Sequence, residues 1–208
     1  METAIFTIIV LIFSIILHEV AHGYAAQSLG DPTAKLAGRL TLNPLPHIDI
    51  IGSVIIPAVL VLTQAGILFG WAKPVPYNPY NLKNQRWGEA FVGVAGVATN
   101  LAIAVLFAII ARVAVAQGMG EFASLAAVVV LVNLSLGLFN LIPIPPIDGY
   151  TVLRGLVPYK MSMAMARFED RMRAGGIFTL VLVLIILTQF FSAPFYALVQ
   201  FCYHLLVG

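Results

Sequence analysis

Residues 50–70 read IIGSVIIPAVLVLTQAGILFG. The stretch is uncharged and long enough to cross a hydrocarbon core about 30 Å thick, which takes about 20 helical residues. Pro57 stands in its middle and Gly66 near its end, so it reads equally as a broken element that enters and leaves on one side. The choice decides which other segments share a face of the membrane. If residues 50–70 cross, Lys35 and Arg39 lie opposite Lys73, Lys83 and Arg86. If they turn back, those five join Arg154, Lys160, Arg167, Arg171 and Arg173, and ten of the 11 basic residues share one face. Clustering of Lys and Arg on the cytoplasmic face favours the second arrangement. A re-entrant or broken element is expected, because irregular backbone at membrane depth is tolerated where protein shields it or where it lines a wet cavity.

The rest of the chain supports a membrane setting. Of 208 residues 61% are hydrophobic, with 11 Lys or Arg against 9 Asp or Glu. Soluble domains are about 45–50% apolar and about 25% charged, which excludes a water-soluble globule. A net charge of +2 is too small to argue for nucleic acid. The single Cys202 makes no internal disulfide. Segments 3–29, 88–117, 121–142 and 174–192 are each long and apolar enough to span, and Gln117–Glu121 (QGMGE) reads as a tight turn between the second and third. The apolar N-terminus lacks the basic region and cleavage site of a removable signal. The apolar run 174–207 is expected to break at Ser192-Ala193-Pro194. The expected fold is an all-α polytopic membrane protein: about four to six transmembrane helices, with a re-entrant or β-containing segment between the first two core helices. Residues 1–208 read as a single integral-membrane domain, with a core over about 1–150 and a C-terminal helical part over about 151–208.

Chemistry concentrates in the first helix, at His18-Glu19-Val20-Ala21-His22. The i, i+4 spacing sets two imidazoles on one helical face with a carboxylate beside them, a pattern suited to two nitrogen ligands on Zn²⁺ and a base next to the metal. A charged side chain at the bilayer centre costs about 2.5–3.5 kcal/mol on insertion scales. Three ionisable groups within five positions therefore argue for function over simple helix packing. Catalytic zinc generally takes three protein ligands, so one more is needed. His47 and Asp49 lie beside the ambiguous segment, Asp148 follows the third spanning helix, and His204 is near the C-terminus, where it reads as an interfacial side chain. Charge favours Asp148: Zn²⁺ with two neutral imidazoles, Asp148 and Glu19 sums to zero, which a low-dielectric site favours over an unbalanced set. Pro143, Pro145 and Pro146 interrupt the helix before it and put Asp148 on irregular backbone. With the N-terminus outside, His18, His22 and Asp148 reach the same inner face only if residues 50–70 do not cross.

Three pieces of the chain resemble the site-2 protease family of intramembrane zinc metalloproteases: HEVAHG (18–23), AGVATN (95–100) and FNLIPIPPIDG (139–149). The similarity is to a compact prokaryotic-type member without accessory domains. Two positions depart from the family pattern: Val97 replaces a usual proline, and Tyr150 a frequent second glycine. The resemblance implies one Zn²⁺ per chain held by His18, His22 and Asp148, Glu19 as catalytic base, and Asn140 against the substrate backbone. Asn100 and His47 are further candidates for substrate contact, and Trp71 and Lys73 for lining the cavity. It also implies hydrolysis of transmembrane protein or peptide substrates within the lipid bilayer of a prokaryotic cell, and the charge distribution puts the site toward the cytoplasm. The alternation in Leu36–Leu42 reads as either an edge strand for an extended substrate or an interfacial loop. The rival class is a metal-binding membrane protein or transporter without protease activity. Transporters commonly carry repeated halves, and no repeat is visible here.

Overall fold

The structure, a computed structural model, describes residues 2–64 and 70–208. Four helices are long and apolar enough to cross a membrane. They belong to α1 (Glu2–Ser28), α4 (Gln85–Ala116), α5 (Gly120–Asn140) and α8 (Gly176–Val207). Between them lie the short α2 (Thr33–Leu36), α3 (Ile56–Leu62), α6 (Asp148–Leu156) and α7 (Tyr159–Ala174). No strand occurs among the described residues. The chain is an all-α, multi-pass integral membrane protein.

The re-entrant reading of 50–70 holds, with residues 65–69 outside the described residues. A π-helical turn, Ile50–Ile55, runs directly into α3. Together these rise about 20 Å at 1.5 Å per residue, too little to cross. The chain then returns to its entry point: the Trp71 amide donates to the Gly52 carbonyl at 3.1 Å, and Ser53 Oγ donates to the Trp71 carbonyl at 2.8 Å. The Trp71 ring occupies the space a side chain at Gly52 would need, within 2.3 Å of its Cβ position. Both ends of the element therefore lie on one side.

Leu36–Leu42 is not a strand. Leu36 ends α2, Gly38 takes φ +65°, and the Arg39 amide closes the turn on the Ala34 carbonyl at 3.0 Å. Arg39 is buried and donates to the Lys73 carbonyl at 2.6 Å, so the chain curls inward. The expected break at Pro194 is likewise corrected: α8 continues through it. Proline removes one amide donor, a loss that spanning helices tolerate, and both halves of α8 are packed. Val183 and Leu187 cluster with Ile147, while Cys202, Tyr203 and Leu206 lie against Ala104, Ala108, Val130 and Leu134.

One end of the bundle gathers the polar connections. The Lys83 amide donates to the Leu29 carbonyl and the Lys73 amide to the His47 carbonyl, both at 2.9 Å. Arg154 of α6 pairs with Glu89 at the start of α4 and, at 2.8 Å, with Glu169 of α7. At the far end Arg112 donates to the Leu205 carbonyl at 2.9 Å, beside the turn that joins α4 to α5. Ten of the 11 basic residues therefore belong to the end where α1 finishes.

Asp31 ties that end together. Fully buried, its carboxylate accepts from Thr33 Oγ1 at 2.5 Å, Asn81 Nδ2 at 2.8 Å and the Asn78 amide at 2.7 Å. Burial opposes its ionisation, but the donors from Thr33, Asn81 and Asn78 outweigh that and hold its pKa below the usual carboxylate value. A depressed folded-state pKa stabilises the fold above the unfolded value of about 3.9, and the gain is lost as pH falls through the folded value. Asp31→Asn is expected to cost about 1.5–3 kcal/mol at neutral pH. In thermal unfolding in micelles, the gap between variant and wild type should close on acidification.

Candidate metal centre

His18 and His22 lie one turn apart on the buried face of α1, ten and six residues before its end at Ser28. Asp148 arrives from the other half of the chain. The prolines at 143, 145 and 146 end the helical run after Asn140, and residues 141–147 form an irregular link. Asp148 itself is the first residue of α6, not part of that irregular backbone. The salt bridges of Arg154 to Glu89 and Glu169 hold α6 against α4 and α7.

The three side chains meet. His18 Nε2 is 2.9 Å and His22 Nε2 3.2 Å from Asp148 Oδ2, and the two Nε2 atoms are 3.0 Å apart. The far side of each ring fixes its tautomer. His22 Nδ1 is 2.7 Å from the Val92 carbonyl, which can only accept, so Nδ1 carries the proton. His18 Nδ1 is 2.6 Å from Asn100 Oδ1. The Asn100 amide group points the other way, donating to Asn133 Oδ1 at 2.9 Å and to the Ser14 carbonyl at 3.3 Å. His18 Nδ1 is therefore also the protonated nitrogen. In neutral imidazoles this leaves both Nε2 atoms as acceptors, available to a metal beside the carboxylate oxygen.

Three such atoms about 3 Å apart are held together either by protons on the imidazoles or by a cation among them. Zinc bonds of about 2.0–2.1 Å place neighbouring ligands of a tetrahedron about 3.3 Å apart, close to the three edges found here. Two neutral imidazoles and a carboxylate are also an ordinary zinc donor set. The residues present fit that ion.

Behind His18 stands a buried polar ladder through three spanning helices. Asn133 Nδ2 donates to Ser14 Oγ at 2.9 Å and to the Val129 carbonyl at 3.0 Å. Asn100 and Asn133 are completely buried. Asn100 thus sits behind His18 and not in the cavity. Hydrogen-bonded partners of metal-ligating histidines orient the ring, and their loss costs about 10–100-fold in metal affinity or activity. Asn100→Leu is expected to weaken zinc binding by that factor, measured by competition with a chromophoric chelator in detergent. Unchanged affinity would show that the ladder only packs the helices.

A cavity of about 370 Å³ opens over the cluster. Its lining includes Glu19 and Asn140 as well as His18 and Asp148, with Ile15, Trp71, Phe139 and Leu187 among its apolar walls. Asn140 Nδ2 donates to the Leu136 carbonyl at 3.0 Å. His47 is buried elsewhere, with Nε2 2.9 Å from the Thr41 carbonyl, and Asp49 caps the π-helical turn by accepting the Gly52 amide at 2.7 Å. Neither joins the cluster, nor does His204 near the end of α8; among the described residues only His18, His22 and Asp148 form a group able to hold a metal. Lys73 is exposed and outside the cavity lining.

Sequence reasoning missed Gly96, Ser14 and Asn133. A Cβ on Gly96 would lie 2.5 Å from His22 Nε2 and 2.7 Å from His18 Nε2, so α4 approaches the two imidazoles as closely as a glycine allows. The spacing Gly96-x-x-x-Asn100 was available as a signal: one turn of helix separates the position that makes room for the imidazoles from the one that orients His18.

Residues 111–187 match Peptidase family M50, a stretch that holds Asn140 and Asp148 but not the histidines of α1. The chain is 38% identical to a Bacillus subtilis protein named "Putative zinc metalloprotease YwhC", over 79% of this chain and 75% of that one. It is 32% identical to "Putative zinc metalloprotease Rip2" of Mycolicibacterium smegmatis, over 68% of this chain and 53% of the relative. With the protein of the same name from Mycobacterium tuberculosis it shares 29% identity, over 67% and 52%. The chain thus spans about half the length of the two mycobacterial relatives. No solved structure matches it significantly.

Proposed function

This chain belongs to peptidase family M50, the site-2 protease family of zinc metalloproteases, and from that premise we propose that it hydrolyses peptide bonds of membrane-embedded protein substrates. Membership makes it a zinc-dependent metallopeptidase. The observation that carries the finer reading is the position of the three converging ligands, inside a bundle of spanning helices and beneath an apolar cavity.

In this reading His18 Nε2, His22 Nε2 and Asp148 Oδ2 hold the ion. Zinc held there would supply Lewis acidity toward a carbonyl oxygen and would lower the pKa of water to about 7. Glu19 takes a proton from the attacking water and delivers it to the leaving amine nitrogen as the carbon–nitrogen bond breaks. Asn140 turns its side-chain amide from the Leu136 carbonyl to the substrate backbone. Ile15, Phe139 and Leu187 receive apolar substrate side chains and keep bulk water away. A substrate helix must unwind first, because its amides are otherwise bonded within the helix. The end that carries ten of the 11 basic residues faces the cytoplasm of a prokaryotic cell, and Asp148 opens α6 at that end.

The test is cleavage of a transmembrane substrate in liposomes, before and after removal of zinc by a chelator and after its return. Cleavage should stop and resume. A protein that keeps one zinc per chain and cuts none of a broad set of membrane substrates would instead be a metal-binding or transport protein.

A further inference from the structure

Glu19 is already engaged by the protein. Its Oε2 accepts the backbone amide of Val75 at 2.8 Å. Val75 belongs to the run Gly70-Trp-Ala-Lys-Pro-Val-Pro76, which crosses α1 as an extended strap. The strap is fastened along its length: Trp71 to Gly52 at 3.1 Å and Lys73 to His47 at 2.9 Å, the Lys73 carbonyl to buried Arg39 at 2.6 Å, and Asn78 to Asp31 at 2.7 Å. Pro74 and Pro76 have no amide hydrogen, so among residues 74–76 Val75 has the single donor, and it goes to Glu19. A following proline also confines Val75 to extended backbone. The strap lies hard against α1: Val75 is 5% exposed, and a Cβ on Gly23, one turn beyond Glu19, would sit 2.9 Å from Val75 Cγ1.

These contacts are more than the strap needs to stay in place, because its neighbours at 71, 73 and 78 already anchor it. We propose that the Val75 amide is a positioning donor for Glu19. It fixes Oε2 and leaves Oε1 as the oxygen presented to the cavity over His18 and Asp148. A glutamate in a cavity of this size otherwise samples several rotamers, and a misplacement of about 1 Å can cost about 100-fold in rate. The inference rests on the proteolytic reading above and adds to it a group from a loop distant in sequence.

The test replaces Val75 by its α-hydroxy acid analogue in the full zinc-loaded chain, exchanging the amide N–H for an ester oxygen while the side chain remains. With a transmembrane substrate in liposomes, kcat is expected to fall roughly 10- to 100-fold with KM and zinc content unchanged. Unaltered kcat overturns the proposal. So does a rise in KM alone, which would make the strap a substrate contact, and so does loss of zinc, which would make it a structural brace. A second readout needs no turnover: with valine ¹⁵N-labelled, the Val75 amide proton should lie downfield, as expected for a donor to a carboxylate, and move upfield in Glu19→Gln. A resonance that stays put overturns the proposal even if cleavage is never observed. Failure of the wild type to cut any substrate strikes the proteolytic reading instead.

Discussion

Glu19→Gln is expected to retain one zinc per chain and to lose cleavage by about 100- to 10,000-fold, the usual contribution of a positioned general base. The substitution is close to isosteric. The amide oxygen of glutamine still accepts the Val75 N–H, the apolar cavity walls are untouched, and neither His18 nor His22 changes its ring contacts. What disappears is the ability to take a proton from water and return it to the amine. Zinc content per chain and initial cleavage rates in liposomes, measured on the same preparations, separate the two roles. A variant that cuts at the wild-type rate removes Glu19 from the chemistry. One that loses zinc together with activity shows that the carboxylate charge is needed to hold the ion, a role the geometry assigns to Asp148.

Gly96→Ala is expected to abolish zinc binding while the helices remain folded. The added methyl would stand 2.5 Å from His22 Nε2 and 2.6 Å from His18 Cε1, the very atoms and ring that must converge. Ordinary contact begins at 3.4 Å, so relief requires a displacement approaching 1 Å, against a tolerance in metal–ligand distance of about 0.2 Å. Overpacking of this kind costs about 1–3 kcal/mol, which a bundle of four spanning helices absorbs. Helix content by circular dichroism should be near wild type while bound zinc and cleavage are both lost. A fully zinc-loaded Gly96→Ala protein would mean that α4 stands farther from α1 than the structure shows.

How much of this was readable from residue order varies with the kind of feature. The spanning segments stand out because hydropathy is a sum over neighbours, and 88–117 and 121–142 fall within a few residues of α4 and α5. His18, Glu19 and His22 stand out because helical periodicity places i and i+4 on one face. Asp148 was chosen from four candidates by charge balance, and the structure brings it to the two imidazoles. Asn100 was weighed as a substrate contact, whereas it lies behind His18, because burial depends on which helix covers it. Of the two readings of Leu36–Leu42 the strand failed, and so did the break at Pro194, for a common reason. Local patterning suggested each, and packing against distant residues, Lys73 in one case and the faces of α4 and α5 in the other, decided otherwise.

Composition and spacing alone determined that the chain lives in a membrane, that its charge gathers at one end, and that its first helix carries an imidazole pair spaced to hold a metal with a carboxylate beside it. These are properties of contiguous residues and need no knowledge of what packs where. Only the tertiary structure decided that residues 50–70 turn back, that Asp148 meets the two imidazoles, that Gly96 makes room for them, and that a valine between two prolines takes hold of Glu19. Each of those is a distance between segments far apart along the chain, and such distances are set by the packing of whole helices.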